Sequence, residues 1–247
     1  MTTTRTATAE KIINRAATEL GLASVADPFA SDDPNFIQLV ALLNAVGEEL
    51  CSAYQWEFLT QSHQIVTSSL DSGDYDLPTD FLYMIPQTGW ERTNNFPVSG
   101  PLSAQDWTYL LGRNLVSTTI YASFRIQAGL FSIFPRPVVD GLDINFEYQS
   151  KNWVIDNTTP PGVYTDECLQ ASDTVLFDKN LATRYLKVKY LEAKGLDATA
   201  ATDDFTQVFS FLTNIEKGVG EIISAGSRRR GFPYLDYRNL PDSNYGL

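Results

Sequence analysis

The chain has 247 residues, 43% of them hydrophobic and 12% aromatic, which places it among proteins that bury a substantial core and excludes wholesale disorder. Its formal net charge of −12 argues against tight nucleic-acid binding over the general surface. That charge is uneven: residues 227–247 hold four arginines and two aspartates, net +2, which leaves −14 on residues 1–226.

Helical spacing comes first. Ile12, Ile13, Ala16, Ala17 and Leu20 form a stripe over residues 9–20, and Gly21 is placed to end it. Asp33-Pro34 reads as an N-cap followed by proline at the first helical position, where its missing N–H costs nothing. From there Phe36, Val40, Leu43, Val46 or Gly47, Leu50 and Tyr54 predict a long second helix. Residues 61–70 are strand-like, 71–74 have turn chemistry, and 75–78 and 81–88 read as short strands. Ser103 is placed to cap a helix over 104–111, with Asp106 three residues on as in a capping box.

The clearest period-two alternation lies in residues 117–149. Thr118, Ile120, Ala122, Phe124 and Ile126 share one face there, and Leu142, Ile144, Phe146 and Tyr148 oppose Asp143, Asn145, Glu147 and Gln149. Strands with one buried face, antiparallel, are the reading. Pro135 and Pro137 put their segment at a sheet edge or in a loop, and residues 152–155 add a last strand before a Pro-rich break. Helical spacing returns with Phe177, Leu181, Tyr185, Val188 and Leu191, closed by Gly195. A final helix runs from about Ala200 to Gly226 on Phe205, Val208, Phe209, Leu212, Ile215, Val219, Ile222 and Ile223.

The expected fold is α+β: a four-helix unit (1–58 and 168–226) with an antiparallel β domain (59–167) inserted between its second and third helices. An extended C-terminal arm (227–247) follows. Arg228, Arg229, Arg230, Phe232, Tyr234, Leu235, Tyr237, Arg238, Leu240 and Tyr245 make it too aromatic for a solvated tail, and aromatics with arginines favour interfaces. About 20 extended residues reach roughly 65 Å, so the arm is expected to lie on another subunit. The alternative is that it folds back over its own β domain.

Chemistry is sparse. His63 is the one histidine and has no cysteine or second histidine nearby for a zinc site. Asp71, Asp74 and Asp76 fail calcium-loop spacing, since the twelfth positions counted from Asp71 and Asp74 are Leu82 and Ile85. No glycine loop suits phosphate, so no cofactor or metal is expected. The pairs Asp32/Asp33, Asp166/Glu167 and Asp203/Asp204 fall near expected helix starts, where capping accounts for them, and Glu48 and Glu49 read as a solvated face. Paired carboxylates acting on a glycan are the one enzymatic alternative. No uninterrupted apolar run reaches bilayer-spanning length, so no membrane role is expected, and residues 1–10 lack the apolar region of a secretory signal. Cys51 and Cys168 read as two buried thiols of a protein made in a reducing cytosol.

Leu77-Pro78-Thr79-Asp80-Phe81-Leu82, then Trp90 and Arg92, then Pro97-Val98-Ser99-Gly100-Pro101-Leu102-Ser103-Ala104-Gln105-Asp106-Trp107 form one distinctive stretch. With a helix ending in Tyr54-Gln55-Trp56 and the run Leu186-Lys187-Val188-Lys189-Tyr190-Leu191-Glu192-Ala193-Lys194-Gly195, it resembles the head-to-tail adaptors of tailed bacteriophages. That group includes the tail tubular protein A of short-tailed phages. The resemblance spans residues 9–226 and implies a structural, non-enzymatic virion protein made in the bacterial host cytoplasm. It implies a homo-oligomeric ring, typically a dodecamer, between the portal protein and the tail nozzle protein, a conduit that passes DNA without binding it specifically. It also implies an arm docked on the portal, at the positions named above from Arg228 to Tyr245. An acidic channel fits that role, with Glu48, Glu49, Asp203 and Asp204 as candidate lining.

Overall fold

Helix α1 (Ala9–Glu19) buries Ile12, Ile13, Ala16 and Ala17, the stripe expected of it. The chain leaves the helix at Gly21, whose φ of +81° suits glycine. Gly21 N–H donates to Thr18 O and Leu22 N–H to Ala17 O, a Schellman closure of the last turn. Its first amides are satisfied from far along the chain: Ala9 N–H and Glu10 N–H donate to the carbonyls of Asp173 and Ala171. The residues just before it, β1 (Ala7–Thr8), pair with a strand at Thr174–Val175. These coordinates are a computed structural model, which describes residues 5–112, 122–135, 140–158 and 162–216.

Helix α2 (Pro34–Ala53) starts as expected, with Asp33 accepting from Asn35 N–H and proline at the first position. It is long and apolar enough by length and composition to cross a membrane, although Asn, Gln, Gly and Glu residues interrupt its apolar run. One side of it packs inside the protein, through Phe36, Leu39, Leu43, Val46, Leu50 and Cys51. Gly47 belongs to that side because the Trp153 indole lies against it. A Cβ there would sit 2.1 Å from the ring.

Between the helix pairs, the described strands all pair antiparallel. They are β2 (Thr60–Val66), β3 (Asp74–Asp76), β4 (Phe81–Met84), β5 (Trp90–Glu91), β6 (Phe96–Pro97), β7 (Ser123–Gln127), β8 (Leu130–Phe134), β9 (Asp143–Ser150), β10 (Val154–Asp156), β11 (Val163–Thr165) and β12 (Thr174–Val175). The spine is β9, paired with β2 along its length and with β4 and β5 on its other edge. A second sheet, β3-β8-β7, packs on this one through stacked rings. Phe131 lies 4.6 Å from Phe124 and 5.1 Å from Phe146, centroid to centroid. The third sheet, β1-β12-β10-β11, contributes Val154 and Val175 to the helical core instead.

Helix α3 (Ala104–Gly112) carries the expected cap: Asp106 N–H donates to Ser103 Oγ, and the Ser103 hydroxyl donates back to the Asp106 carboxylate. Helix α4 (Lys179–Ala193) begins after Asp178, which accepts from Asn180 and Leu181 N–H, and closes at Gly195 with a second Schellman pattern. Helix α5 (Thr199–Glu216) packs against it, Tyr185 stacking on Phe205 at 4.3 Å.

Several expectations change. Phe177 precedes α4, and α4 buries Leu181, Ala182, Thr183, Leu186, Val188 and Tyr190, far more than one stripe. The cause is its position: α1, α2 and α5 all pack on it. Gln149 falls on the polar side of its strand's alternation but is fully buried, its side-chain amide donating to Trp56 O just past the end of α2. The strand of residues 61–70 stops at Val66, and the two-residue strands β1, β5, β6 and β12, with three-residue β11, carry too little pattern to predict. Residues 117–121, Pro137 and the proposed extension of the last helix through Val219, Ile222 and Ile223 lie outside the described residues.

Replacing Gly47 with alanine forces the Trp153 ring or α2 to move. We expect a loss of about 1–3 kcal/mol, read as a fall of several degrees in melting temperature by circular dichroism with secondary structure retained below the transition. An unchanged melting temperature would mean that the helix and ring are not in contact.

Candidate assembly surface

One member of each carboxylate pair helps to hold the structure together. Asp33 caps α2. Asp166 lies 2.9 Å from Lys151 Nζ and precedes no helix, so the expected capping role is wrong for it. Asp204 takes an ion pair from Arg184, and Glu49 accepts from Lys189 Nζ at 2.7 Å and from the Tyr185 hydroxyl. Glu49 is therefore not part of a bare solvated face, although Glu48 and Asp203 are exposed. The cations of α4 reach outward to each neighbouring helix: Lys187 to Glu19 of α1 at 3.8 Å, Lys189 to Glu49 of α2, and Arg184 to Asp204 of α5. Of the four acids expected to line a channel, two are thus neutralised by α4.

Other sequence candidates are equally absorbed. His63 is half-buried with its ring 5.5 Å from Phe146, and that burial holds its pKa below the usual histidine range. Cys51 and Cys168 are free and buried; burial pushes the Cys51 thiol up to about 12 and raises Cys168 as well. Among the described residues no group of three or more His, Cys, Asp or Glu is arranged to hold a metal ion. Glu91 is buried, but its carboxylate accepts 2.7 Å bonds from Thr93 and Asn94 N–H and so belongs to a turn. The arm residues Arg228, Arg229, Arg230, Phe232, Tyr234, Leu235, Tyr237, Arg238, Leu240 and Tyr245 lie outside the described residues.

Three surface features were missed. An apolar groove of about 290 Å³ runs between α5 and the turn after α2, floored by Trp56, Phe58, Val208 and Leu212 with Asp178 and Glu216 at its rim. A more open, polar hollow of about 510 Å³ surrounds the exposed Trp90, with Arg92, Gln87 and Asn145. The third, of about 250 Å³, lies between α1 and the start of α4, lined by Lys11, Arg15 and Lys179 together with Thr6, Ala7, Ile12 and Thr183. Lys11 and Arg15 are four residues apart on α1, a spacing visible in the sequence, but Lys179 joins them only through the fold.

Each is lined by a mixture of polar and apolar side chains. The sequence profile of the SU10 adaptor protein family matches residues 7–231, all but the two ends of the chain. The chain belongs to the SU10 adaptor protein family. That is a family of phage head-to-tail adaptors, as the Leu77–Trp107 stretch and the Trp56 and α4 motifs suggested. No curated protein matches the sequence. In this SU10 adaptor, the motif residues Tyr54, Trp56, Leu186 and Tyr190 sit in or against the helical core, and Phe81 and Val98 in or against the β core. Trp90, Arg92 and most of residues 97–106 are exposed, so the motif positions divide between scaffold and surface.

Glu49 supplies a pH test of the α4 hub. Burial alone would raise its carboxyl, but the bonds from Lys189 and Tyr185 outweigh that and hold it below its ordinary 4.5. A lowered folded pKa adds stability that is complete above the unfolded value and lost as pH falls through the folded one. Because the pair is partly exposed, Glu49→Gln should cost no more than about 1 kcal/mol at pH 7 and nothing once the carboxyl is protonated. Carbon-detected NMR should give the wild-type Glu49 a midpoint below 4.5, moving up in Lys189→Met. A midpoint indifferent to Lys189 would remove the hub.

Proposed function

We propose that this phage adaptor is a structural virion protein without turnover, assembled as a ring between the portal and the tail nozzle, through which DNA passes without being specifically held. Membership of the adaptor family over residues 7–231 carries this reading. It is supported by the way the candidate catalytic acids Asp33, Glu49, Asp166 and Asp204 are spent on caps and ion pairs. The −14 on residues 1–226 suits a conduit, since a surface that repels phosphates lets a duplex slide.

The modules of that reading are a four-helix unit from 1–58 and 168–226, an inserted β domain at 59–167, and the arm at 227–247. The arm, with Arg228, Arg229, Arg230 and Arg238 among Phe232, Tyr234, Leu235, Tyr237, Leu240 and Tyr245, is the portal-binding element. Its net charge of +2 is opposite in sign to the rest of the chain, so it seeks a different neighbour.

Removing residues 227–247 should leave the melting temperature of the body unchanged and abolish co-sedimentation with the portal. Replacing Arg228, Arg229 and Arg230 together with glutamate should weaken it in the same direction. Full-strength portal binding by the truncated chain would move the docking element elsewhere. Electron micrographs of the full chain mixed with its portal should show a ring on one portal face.

A further inference from the structure

The hollow between α1 and α4 is an unusual place on this molecule. Its lining joins Lys11, Arg15 and Lys179 to Thr6, Ala7, Ile12 and Thr183, with no carboxylate among the described residues that line it, on a body that is strongly acidic. Arg15 is partly engaged, donating to Asn180 Oδ1 at 2.6 Å and to Glu19 at 3.2 Å. On the same chain α5 has the complementary character. It carries three acids and no base, and Asp203, Gln207 and Phe211, spaced by four residues, are all exposed on it. Phe211 keeps 63% of its surface open and also borders the groove beside Trp56 and Leu212.

A closed ring of identical copies requires two different patches on each copy that fit one another, because a self-complementary patch stops at a dimer. We propose that copies join head to tail, the Asp203–Phe211 face of α5 on one copy seating in the cationic hollow between α1 and α4 of the next. The Phe211 ring lies against the ammonium and guanidinium groups, which favour an aromatic face, and Asp203 meets the same cations. This rests on the ring reading above and assigns the contact that makes it. A second copy suits the hollow better than DNA does, because the acids of the surrounding body repel a phosphate backbone.

Two experiments on the full-length chain test the contact. In the first, Lys11→Cys and Gln207→Cys are placed in one chain, leaving Phe211 intact, and the protein is mildly oxidised without portal. A ladder of reducible oligomers is expected, with no ladder beyond dimer from either single variant. In the second, Lys11→Glu/Lys179→Glu and Asp203→Lys/Gln207→Lys are each mixed with portal and imaged. Each alone should lower complete-ring counts roughly tenfold or more, the size of one lost close ion pair. An equal mixture should restore rings, because alternating copies again present opposite charges at every contact, and that rescue excludes misfolding.

A missing ladder together with normal rings from both variants overturns the contact while leaving the ring standing. The same holds if the basic-face variant changes only retention of duplex DNA. A ladder from a protein that never associates with portal supports the contact and removes the portal placement.

Discussion

The side chain on which the helical part depends is Trp56. It sits where α2 has just ended, and its indole N–H donates to Leu50 O at 2.7 Å, closing a carbonyl that the last turn leaves open. Its ring then meets Phe177 at 5.6 Å and Phe209 at 6.1 Å. Those partners lie more than a hundred residues onward, beyond the whole β segment. Bringing them together costs loop-closure entropy that nothing local offsets. A cluster of Tyr54, Trp56, Phe58, Phe177, Trp153 and Phe209 offsets it, since aromatic side chains bury the most apolar area of any residues.

Once that cluster joins the two pairs, α4 has neighbours on three sides. Its apolar residues are buried there, and its remaining cations emerge at the seams between helices. Each ion pair is too exposed to contribute much, but together they explain how so acidic a body tolerates packing α2 and α5 close by. Both of those helices carry only acids, and α4 supplies the counter-charge. Charge is arranged to relieve repulsion, while apolar burial sets the geometry.

How much of this was legible follows from the same physics. Caps and stripes are local, so Asp33-Pro34, Gly21, Gly195 and the Ser103–Asp106 box located the helices to within a residue or two. The alternation of Leu142, Ile144, Phe146 and Tyr148 named the β9 core face for the same reason. Failure began where a residue's role depends on distant chain. Gln149 continues a polar face in sequence, and only its place beside Trp56, just past the end of α2, makes it buried. Strand β12 is two residues long, and what defines it is its pairing with β1 and β10. The carboxylate pairs looked alike in sequence, and only the fold separated Glu49, bound by Lys189, from the exposed Glu48. The motif positions divide between core, as at Trp56, Val98 and Trp107, and exposed surface, as at Trp90, Arg92 and residues 103–106, so they do not by themselves say where partners bind.

Surfaces for assembly leave a fainter mark because an exposed phenylalanine among polar residues differs from ordinary surface only in the company its helix keeps. The proposed seat for Phe211 also limits how strong a single contact can be. One aromatic side chain buries about 150–250 Å², whereas a stable standard interface buries roughly 1,200–2,000 Å² in all. A pair of free copies joined mainly at this hollow would separate readily. If each copy is held on a portal by its arm, as proposed, the second contact would become intramolecular, and effective concentration would replace area as the source of affinity. A small charged hollow would then be an advantage: it would keep free copies from closing on one another, and would complete the proposed ring once a template set its neighbours side by side.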